Sequence, residues 1–187
     1  MKFNILILLF TLLLSSNAFS GKIGIEAGSG TKSNYGLLGM GVRYFPTKNF
    51  DLYYSGGVDL IGATSIVGAR IYTNPMGNKC FFFITCTPLY YIGIHTGRTN
   101  GGIVTSEENN IESEYDFTSS SFSGVNIGSF DLFGGWFYYS LDISYRSYSK
   151  APEYMLISGP VNDESEESFK SLIENGFGIA LSLGVLF

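Results

Sequence analysis

The residues best suited to chemistry are one histidine and two cysteines, and they support little of it. His95 is the only histidine of the chain, so any histidine-based catalysis would have to use it. The simpler interpretation is a side chain inside the fold with a hydrogen-bond partner, and we predict no catalytic residue. Two cysteines and one histidine cannot supply the four ligands usual for a structural metal ion, so we predict neither a metal site nor a cofactor.

The first twenty residues have the features of a secretory signal peptide. Lys2 gives a positive start, residues 5–14 form a short apolar core, and the Ala-Phe-Ser sequence at 18–20 fits the small-x-small cleavage pattern. We predict cleavage after residue 20 and a mature domain over 21–187. The alternative is an uncleaved anchor, but the apolar run is shorter than the roughly 20 residues that span a bilayer.

The predicted export favours a disulfide between Cys80 and Cys86, because disulfides persist outside the cytoplasm. We predict that the two cysteines pair and close a small loop over residues 81–85, with two unpaired thiols as the alternative. Their spacing is not Cys-x-x-Cys, which favours a structural clip over a redox role.

The composition excludes two classes of protein. Hydrophobic residues make up 45% of the chain and charged residues 14%, where about 25% charged is typical, so intrinsic disorder is excluded. The 11 Lys and Arg residues are outnumbered by 16 Asp and Glu, and the isoelectric point is near 4.8. This balance leaves no basic surface for phosphate, and we predict no nucleic-acid partner.

A period of two runs through the chain and is clearest at the C-terminus. There, large apolar residues at every second position from 177 to 187 alternate with mostly small ones. A helix would scatter them around its axis, so the pattern predicts a strand with one apolar face. The same alternation is found at residues 23–28, 38–45, 51–60, 67–72, 90–95, 125–128 and 137–146. Eight such segments predict an all-β fold, an eight-stranded antiparallel transmembrane up-and-down β-barrel.

The alternate faces of these strands carry charges of both signs. Three are acidic and three are basic, namely Glu26, Asp59 and Asp142 against Arg43, Arg70 and Arg146. Charges inside a narrow barrel are costly unless they are paired, so we predict an ion-pair network that plugs the lumen. The alternative is a polar pathway for a small solute.

The signal peptide, the eight alternating segments and the Leu-Ser-Leu-Gly-Val-Leu-Phe ending at 181–187 together resemble the small eight-stranded outer-membrane barrels. That class includes OmpX, OmpW and the transmembrane domain of OmpA. In it, the last strand with its terminal Phe is recognised by the barrel-assembly machinery, which implies this role for Leu183, Val185 and Phe187. The resemblance also implies a bacterial outer-membrane location with outer-membrane lipid as a partner.

The class includes structural anchors, adhesins, small-solute carriers and a few lipid-modifying enzymes, so the fold leaves the function open. We predict a structural or surface-interaction role without catalysis. Two alternatives are a lipid-modifying enzyme, which would need His95 beside a Ser and an acid at the lipid boundary, and a narrow small-solute channel.

Two long loops are predicted on the outer side of the barrel, at 99–118 and 150–174, since such barrels keep most periplasmic turns short. The connection at 73–87 is an exception, because it is long for the periplasmic side. Acidic residues of the two outer loops are Glu107, Glu108, Glu112, Glu114 and Asp116 in the first, and Glu153, Asp163, Glu164, Glu166, Glu167 and Glu174 in the second. The simplest interpretation is a solvated surface. The alternative is that these carboxylates bind divalent cations or a basic partner.

Overall fold

The computed structural model describes residues 21–73, 89–108, 111–133, 135–161 and 163–187. The predicted signal peptide, Cys80 and Cys86 lie outside these ranges, so the cleavage site and the disulfide remain predictions. The described chain forms eleven strands and one helix. They are β1 (Lys22–Thr31), β2 (Leu38–Thr47), β3 (Phe50–Asp59), β4 (Gly62–Tyr72), β5 (Leu89–Thr99), β6 (Gly102–Glu108), β7 (Ile111–Phe117), β8 (Ser120–Phe133), β9 (Phe137–Tyr148), β10 (Tyr154–Ser158), α1 (Asp163–Ile173) and β11 (Gly176–Leu186).

Eight of the strands form a closed antiparallel barrel. Their order around the barrel is β1-β2-β3-β4-β5-β8-β9-β11, and β11 pairs with β1 to complete the ring. Neighbours in space are therefore neighbours along the chain, apart from the segments inserted between β5 and β8 and between β9 and β11. The predicted eight-stranded up-and-down barrel is confirmed. It is the architecture that the resemblance to the small outer-membrane barrels implies.

The barrel closes at the end of the chain. The backbone N–H of Phe187 donates to the carbonyl of Ile23 at 2.8 Å, and the N–H of Ile23 donates to the carbonyl of Phe187 at 3.2 Å. The register then continues along β1 and β11, with Ile25 opposite Val185. Closure leaves no open sheet edge in the barrel, so the backbone polar groups of β1 and β11 are paired.

The alternation of the sequence sorts side chains to the two sides of the barrel wall. Large apolar residues point outward and are exposed, for example Leu38 at 69%, Ile92 at 61% and Phe177 at 76%. The alternate positions point into the lumen and are mostly buried. This is the sorting that a period of two produces when a sheet closes on itself. In the described ranges, no helix is both long and apolar enough to span a membrane.

Aromatic side chains fill both ends of the lumen. The cluster near the β2–β3 turn contains Phe45, Tyr72, Leu89, Tyr91, Phe130, Leu132, Tyr138 and Leu186, and the cluster near the other end contains Tyr53, Ile66, Phe122 and Tyr148. Glycine makes room for these rings, because a Cβ built on Gly68 would lie 2.5 Å from the ring of Tyr53. Large side chains therefore occupy both ends of the lumen.

The two long outer loops of the sequence analysis are folded. They form a three-stranded antiparallel sheet, here called the second sheet, in the order β10-β7-β6. Helix α1 packs on one face through Phe169, whose ring centroid is 4.8 Å from that of Tyr115 and 5.1 Å from that of Phe117. Ile61, in the turn between β3 and β4, belongs to the same hydrophobic cluster. The second sheet thus rests on one end of the barrel, and its pairing of β7 with β10 joins the two loops.

Deleting Phe187 should weaken the closure of the barrel, because it removes the last two backbone hydrogen bonds between β1 and β11. At about 1 kcal/mol per hydrogen bond, we expect the free energy of unfolding in detergent micelles to fall by about 1–3 kcal/mol in a urea titration. Phe187→Leu keeps the backbone and should lose less. Equal stability of the truncated and full chains would contradict this account of closure.

Candidate functional site

Glu26 and Arg43 form a tight ion pair in the lumen. They project inward from the adjacent strands β1 and β2, with 2.7 Å between Arg43 Nε and Glu26 Oε2, and neither side chain is exposed. The glutamate also accepts hydrogen bonds from the hydroxyls of Tyr138, at 3.2 Å, and Tyr35. Arg43 donates to Ser140 Oγ at 2.9 Å. The pair therefore connects β1 and β2 with β9 across the lumen.

Arg70 and Asp142 form a second pair between strands that are not neighbours in the barrel, with 3.2 Å between Nη2 and Oδ2. The same Oδ2 atom accepts hydrogen bonds from the hydroxyl of Tyr91 at 2.7 Å and from Nδ2 of Asn126 at 2.9 Å. The guanidinium of Arg70 lies over the Tyr53 ring, 4.0 Å from its centroid. Hydrogen bonds and a cation–π contact thus replace the water that a buried ion pair loses.

Asp51 lies between the two pairs. Its Oδ2 atom lies 3.9 Å from Nη1 of Arg43 and 3.9 Å from Nη1 of Arg70. The same oxygen accepts a 2.5 Å hydrogen bond from the Tyr72 hydroxyl. The predicted network did not include Asp51. The sequence does contain a signal that Asp51 points inward. Asp51 and Asp59 are eight residues apart on β3, an even number, so both side chains lie on its inward face.

Arg146 forms the third pair, nearer the second sheet. Its Nη1 is 3.3 Å from Asp59 Oδ2, its guanidinium lies over the Phe122 ring at 4.0 Å, and its Nη2 donates to the Ser33 carbonyl at 2.9 Å. The structure therefore brings the six predicted lumenal charges together as three pairs, Glu26 with Arg43, Arg70 with Asp142, and Asp59 with Arg146.

A short segment between β1 and β2, residues 32–37, folds back into the barrel and is here called the inner loop. The Asn34 carbonyl accepts a 2.6 Å hydrogen bond from Ser55 Oγ, and Asn34 Nδ2 donates to Asp142 at 3.4 Å. Tyr35 is buried and donates to Glu26. Sequence reasoning missed this loop, because it has no periodic pattern and its one hint is the absence of charge over residues 33–37.

Lys32 links the inner loop to helix α1. Its φ of 45° lies in the left-handed region, and its Nζ donates to the carbonyls of Ser171 at 2.6 Å and Glu174 at 3.0 Å. Carbonyls at a helix C-terminus lack partners within the helix, so the ammonium group satisfies them. Partial burial lowers the pKa of Lys32, and the Glu174 carboxylate opposes that shift. The lumen and the second sheet are therefore mechanically connected.

His95 points into the lumen, where its ring meets the Phe122 ring edge-on at 6.3 Å. The predicted hydrogen-bond partner of this histidine is missing at Nδ1, because that buried atom has no partner among the described residues. Among the residues that the structure describes, no carboxylate is hydrogen-bonded to the imidazole of His95. An imidazole that acts as a general base is usually oriented by a hydrogen bond from a further group, and the described residues supply none to Nδ1 of His95.

Most acidic residues of the predicted outer loops lie on the second sheet and on α1, while Glu153 precedes β10 and Glu174 follows α1. Glu107, Glu112 and Asp116 are exposed on the sheet, and Glu167 is exposed on the helix. The side chains of Glu108, Asp163, Glu164 and Glu166 are outside the described set. Among the side chains that are described, no three His, Cys, Asp or Glu residues are grouped to hold a metal ion. Cation binding by these carboxylates remains a prediction.

The residues of the predicted assembly signal lie on the last strand and at the chain end. Leu183 and Phe187 point outward and are exposed, and Val185 is half-buried on the same face. They form a continuous apolar row on β11 up to the closure of the barrel. Recognition by the assembly machinery remains a prediction.

Comparisons with known proteins give a structural likeness. No family model and no curated protein sequence matches the chain. Among solved structures, the chain is similar to the N-terminal β-barrel domain of Pseudomonas aeruginosa OprF, at 13% sequence identity and a TM-score of 0.49. The match covers 89% of this chain and 97% of that domain.

Replacing Arg43 with Met should strongly destabilise the barrel, because it leaves Glu26 buried without its cation. We expect a loss of about 3–5 kcal/mol in the free energy of unfolding, measured by urea titration in micelles. The double variant Arg43→Met with Glu26→Gln should recover much of this loss. Lys150→Met, which removes an exposed ion pair with Glu153, should change little. Equal losses for the two single variants would contradict the ion-pair account.

Proposed function

We propose that the chain is an integral protein of a bacterial outer membrane, with lipid around its barrel, a lumen closed to solutes and a structural or surface-interaction role. The observation that carries this proposal is the inversion of the barrel. Its outer wall is apolar around the whole circumference, while its interior holds three arginines paired with four carboxylates. A water-soluble barrel would place its charges on the outside.

Three further features support a membrane location. The exposed apolar wall far exceeds the scattered patches of soluble proteins. The closed ring pairs its backbone groups internally, which is the condition for strands to cross lipid. Each barrel strand has 10 to 14 residues, and a tilted membrane strand needs roughly 9–11.

A closed lumen is supported by what fills it. Arg43, Arg70 and Arg146 are fully buried and occupy the centre together with their carboxylates. The inner loop adds Asn34 and Tyr35 from one end, both buried. Since an eight-stranded barrel has room for little more than side chains, this packing favours an anchor over a channel.

The insertions at one end of the barrel support an orientation. The second sheet and α1 lie at that end, and outer-membrane barrels typically carry their longest loops on the outer side. We propose that this end faces outward and that β11, through Leu183, Val185 and Phe187, engages the barrel-assembly machinery. The lumenal position of His95, without a hydrogen-bonded acid among the described residues, favours a role without catalysis.

A charge on the lipid-facing wall should destabilise the barrel. For Leu181→Arg, at the middle of β11, we expect a loss of about 2–4 kcal/mol in lipid vesicles, measured by denaturant titration. The control is Thr105→Arg, which adds the same charge at an exposed position of the second sheet and should change little. Similar losses for both variants, or none for Leu181→Arg, would contradict a lipid-facing wall.

The closed lumen predicts a protein that does not conduct. Purified barrel inserted in a planar bilayer should give no stepwise ionic current, because the ion pairs and the inner loop fill the bore. Heat-dependent mobility on a gel would verify that the inserted protein is folded. Discrete conductance steps from folded protein would favour the narrow channel instead.

A further inference from the structure

The second sheet has one face that no described element covers, here called the free face. Helix α1 packs on the opposite face, against Tyr115, Phe117 and Tyr154. The side chains of the free face include Ile103, Thr105 and Glu107 on β6, Glu112, Glu114 and Asp116 on β7, and Met155 and Ser158 on β10. It is a mixed surface of apolar groups and carboxylates.

Two large apolar side chains flank a carboxylate on this face. The register places Ile103 opposite Asp116 and Asp116 opposite Met155, so the three lie in one row across the sheet. Ile103 is 66% exposed and Met155 is 68% exposed. These side chains lie beyond the barrel wall, on strands that do not belong to the barrel, so the lipid that covers the wall does not account for them.

One pair of acidic groups on the free face opposes the stability of the sheet, whereas Glu114 accepts a 3.1 Å hydrogen bond from Ser158 Oγ. Glu107 on β6 is directly opposite Glu112 on β7, and like charges at such positions destabilise a sheet. Strands β6, β7 and β10 contain no Lys or Arg to offset them. The face therefore carries concentrated negative charge beside its exposed apolar groups.

We propose that the free face binds a cationic amphipathic polypeptide segment of another protein. Apolar side chains of the segment would pack on Ile103 and Met155, while its Lys or Arg residues would pair with Asp116 and relieve the repulsion of Glu107 and Glu112. A second copy of this chain would bring the same acids, and anionic lipid headgroups would be repelled. The inference deepens the proposed surface-interaction role and rests on that proposed function.

The binding test uses the mature protein in nanodiscs of zwitterionic phosphocholine lipid, with empty nanodiscs as the blank. The probe is a short alternating Lys-Leu peptide, measured by calorimetric titration. An alternating Glu-Leu peptide and an alternating Lys-Ser peptide of the same length separate charge from apolar contact. We expect Lys-Leu to bind at least tenfold more tightly than either. Equal binding of the three peptides, or none of Lys-Leu at millimolar concentration, overturns the proposal.

Paired variants locate the binding site. Ile103→Ser combined with Met155→Ser should weaken Lys-Leu binding at least tenfold, whereas Val161→Ser, at an exposed apolar residue outside the sheet, should change it less than twofold. Asp116→Asn should weaken binding about threefold or more, and Glu167→Gln, which removes one charge from α1, less than twofold. Equal effects within either pair overturn the assignment of the free face.

Glu107→Lys separates binding from folding. It replaces the Glu107–Glu112 repulsion with an opposite-charge pair, so the protein should be at least as stable in a denaturant titration. The same change should weaken Lys-Leu binding severalfold. Unchanged binding by this well-folded variant overturns the proposal. Self-association of the native protein that the Ile103→Ser, Met155→Ser variant abolishes would assign the face to a second copy and also overturn it.

Labelling of intact cells distinguishes a failure of this inference from a failure of the proposed function. Thr105→Cys places a thiol at an exposed position of the free face, and a membrane-impermeant maleimide should label it from outside. Labelling without peptide binding would leave the outward orientation standing and reject the partner. Peptide binding by purified protein without labelling of cells would support the face as a binding surface and reject the orientation.

Discussion

Three buried guanidinium groups dominate the energetics of the barrel interior. Each of Arg43, Arg70 and Arg146 is essentially inaccessible to water, and a buried ion costs several kcal/mol unless it is paired and hydrogen-bonded. The interior meets this cost with four carboxylates, with aromatic rings beneath the guanidinium planes and with a backbone carbonyl of the inner loop. These groups come from strands all around the barrel, so the charges hold opposite walls together.

The same groups explain why the lumen contains so many glycines. A Cβ on Gly57 would overlap the carbonyl oxygen of Tyr35, and one on Gly93 would lie 2.8 Å from Cγ of Arg70. Eight strands enclose a bore just wide enough for side chains, so a long arginine needs a small residue beside it, as Gly93 on β5 is paired with Arg70 on β4. The result is an interior in which buried charges are paired. At one end of the barrel, Lys32 connects the inner loop to α1 and hence to the second sheet.

The candidate site was predictable in part. Glu26, Arg43 and Arg70 alternate with outward-facing apolar residues of their strands, which predicts that they point into the lumen. The structure buries all three there. Asp51 has the same parity as Asp59, yet its place between two arginines depends on how β3 and β4 pair. The inner loop carries no periodic signal, so its insertion into the lumen could not be inferred. Nor could the pairing of β7 with β10, because it joins two segments that are separate in the chain.

The sequence by itself determined the barrel and the side of its wall on which each strand residue lies, because successive side chains of a strand point to opposite faces whatever the strand packs against. Only the tertiary structure decided which charges meet. Arg70 and Asp142 are separated by 72 residues and come together because closure of the ring brings β4 and β9 across one narrow lumen. A local pattern carries no information on the distance between Arg70 and Asp142 in space, because that distance is set by the number of strands in the ring and by their register.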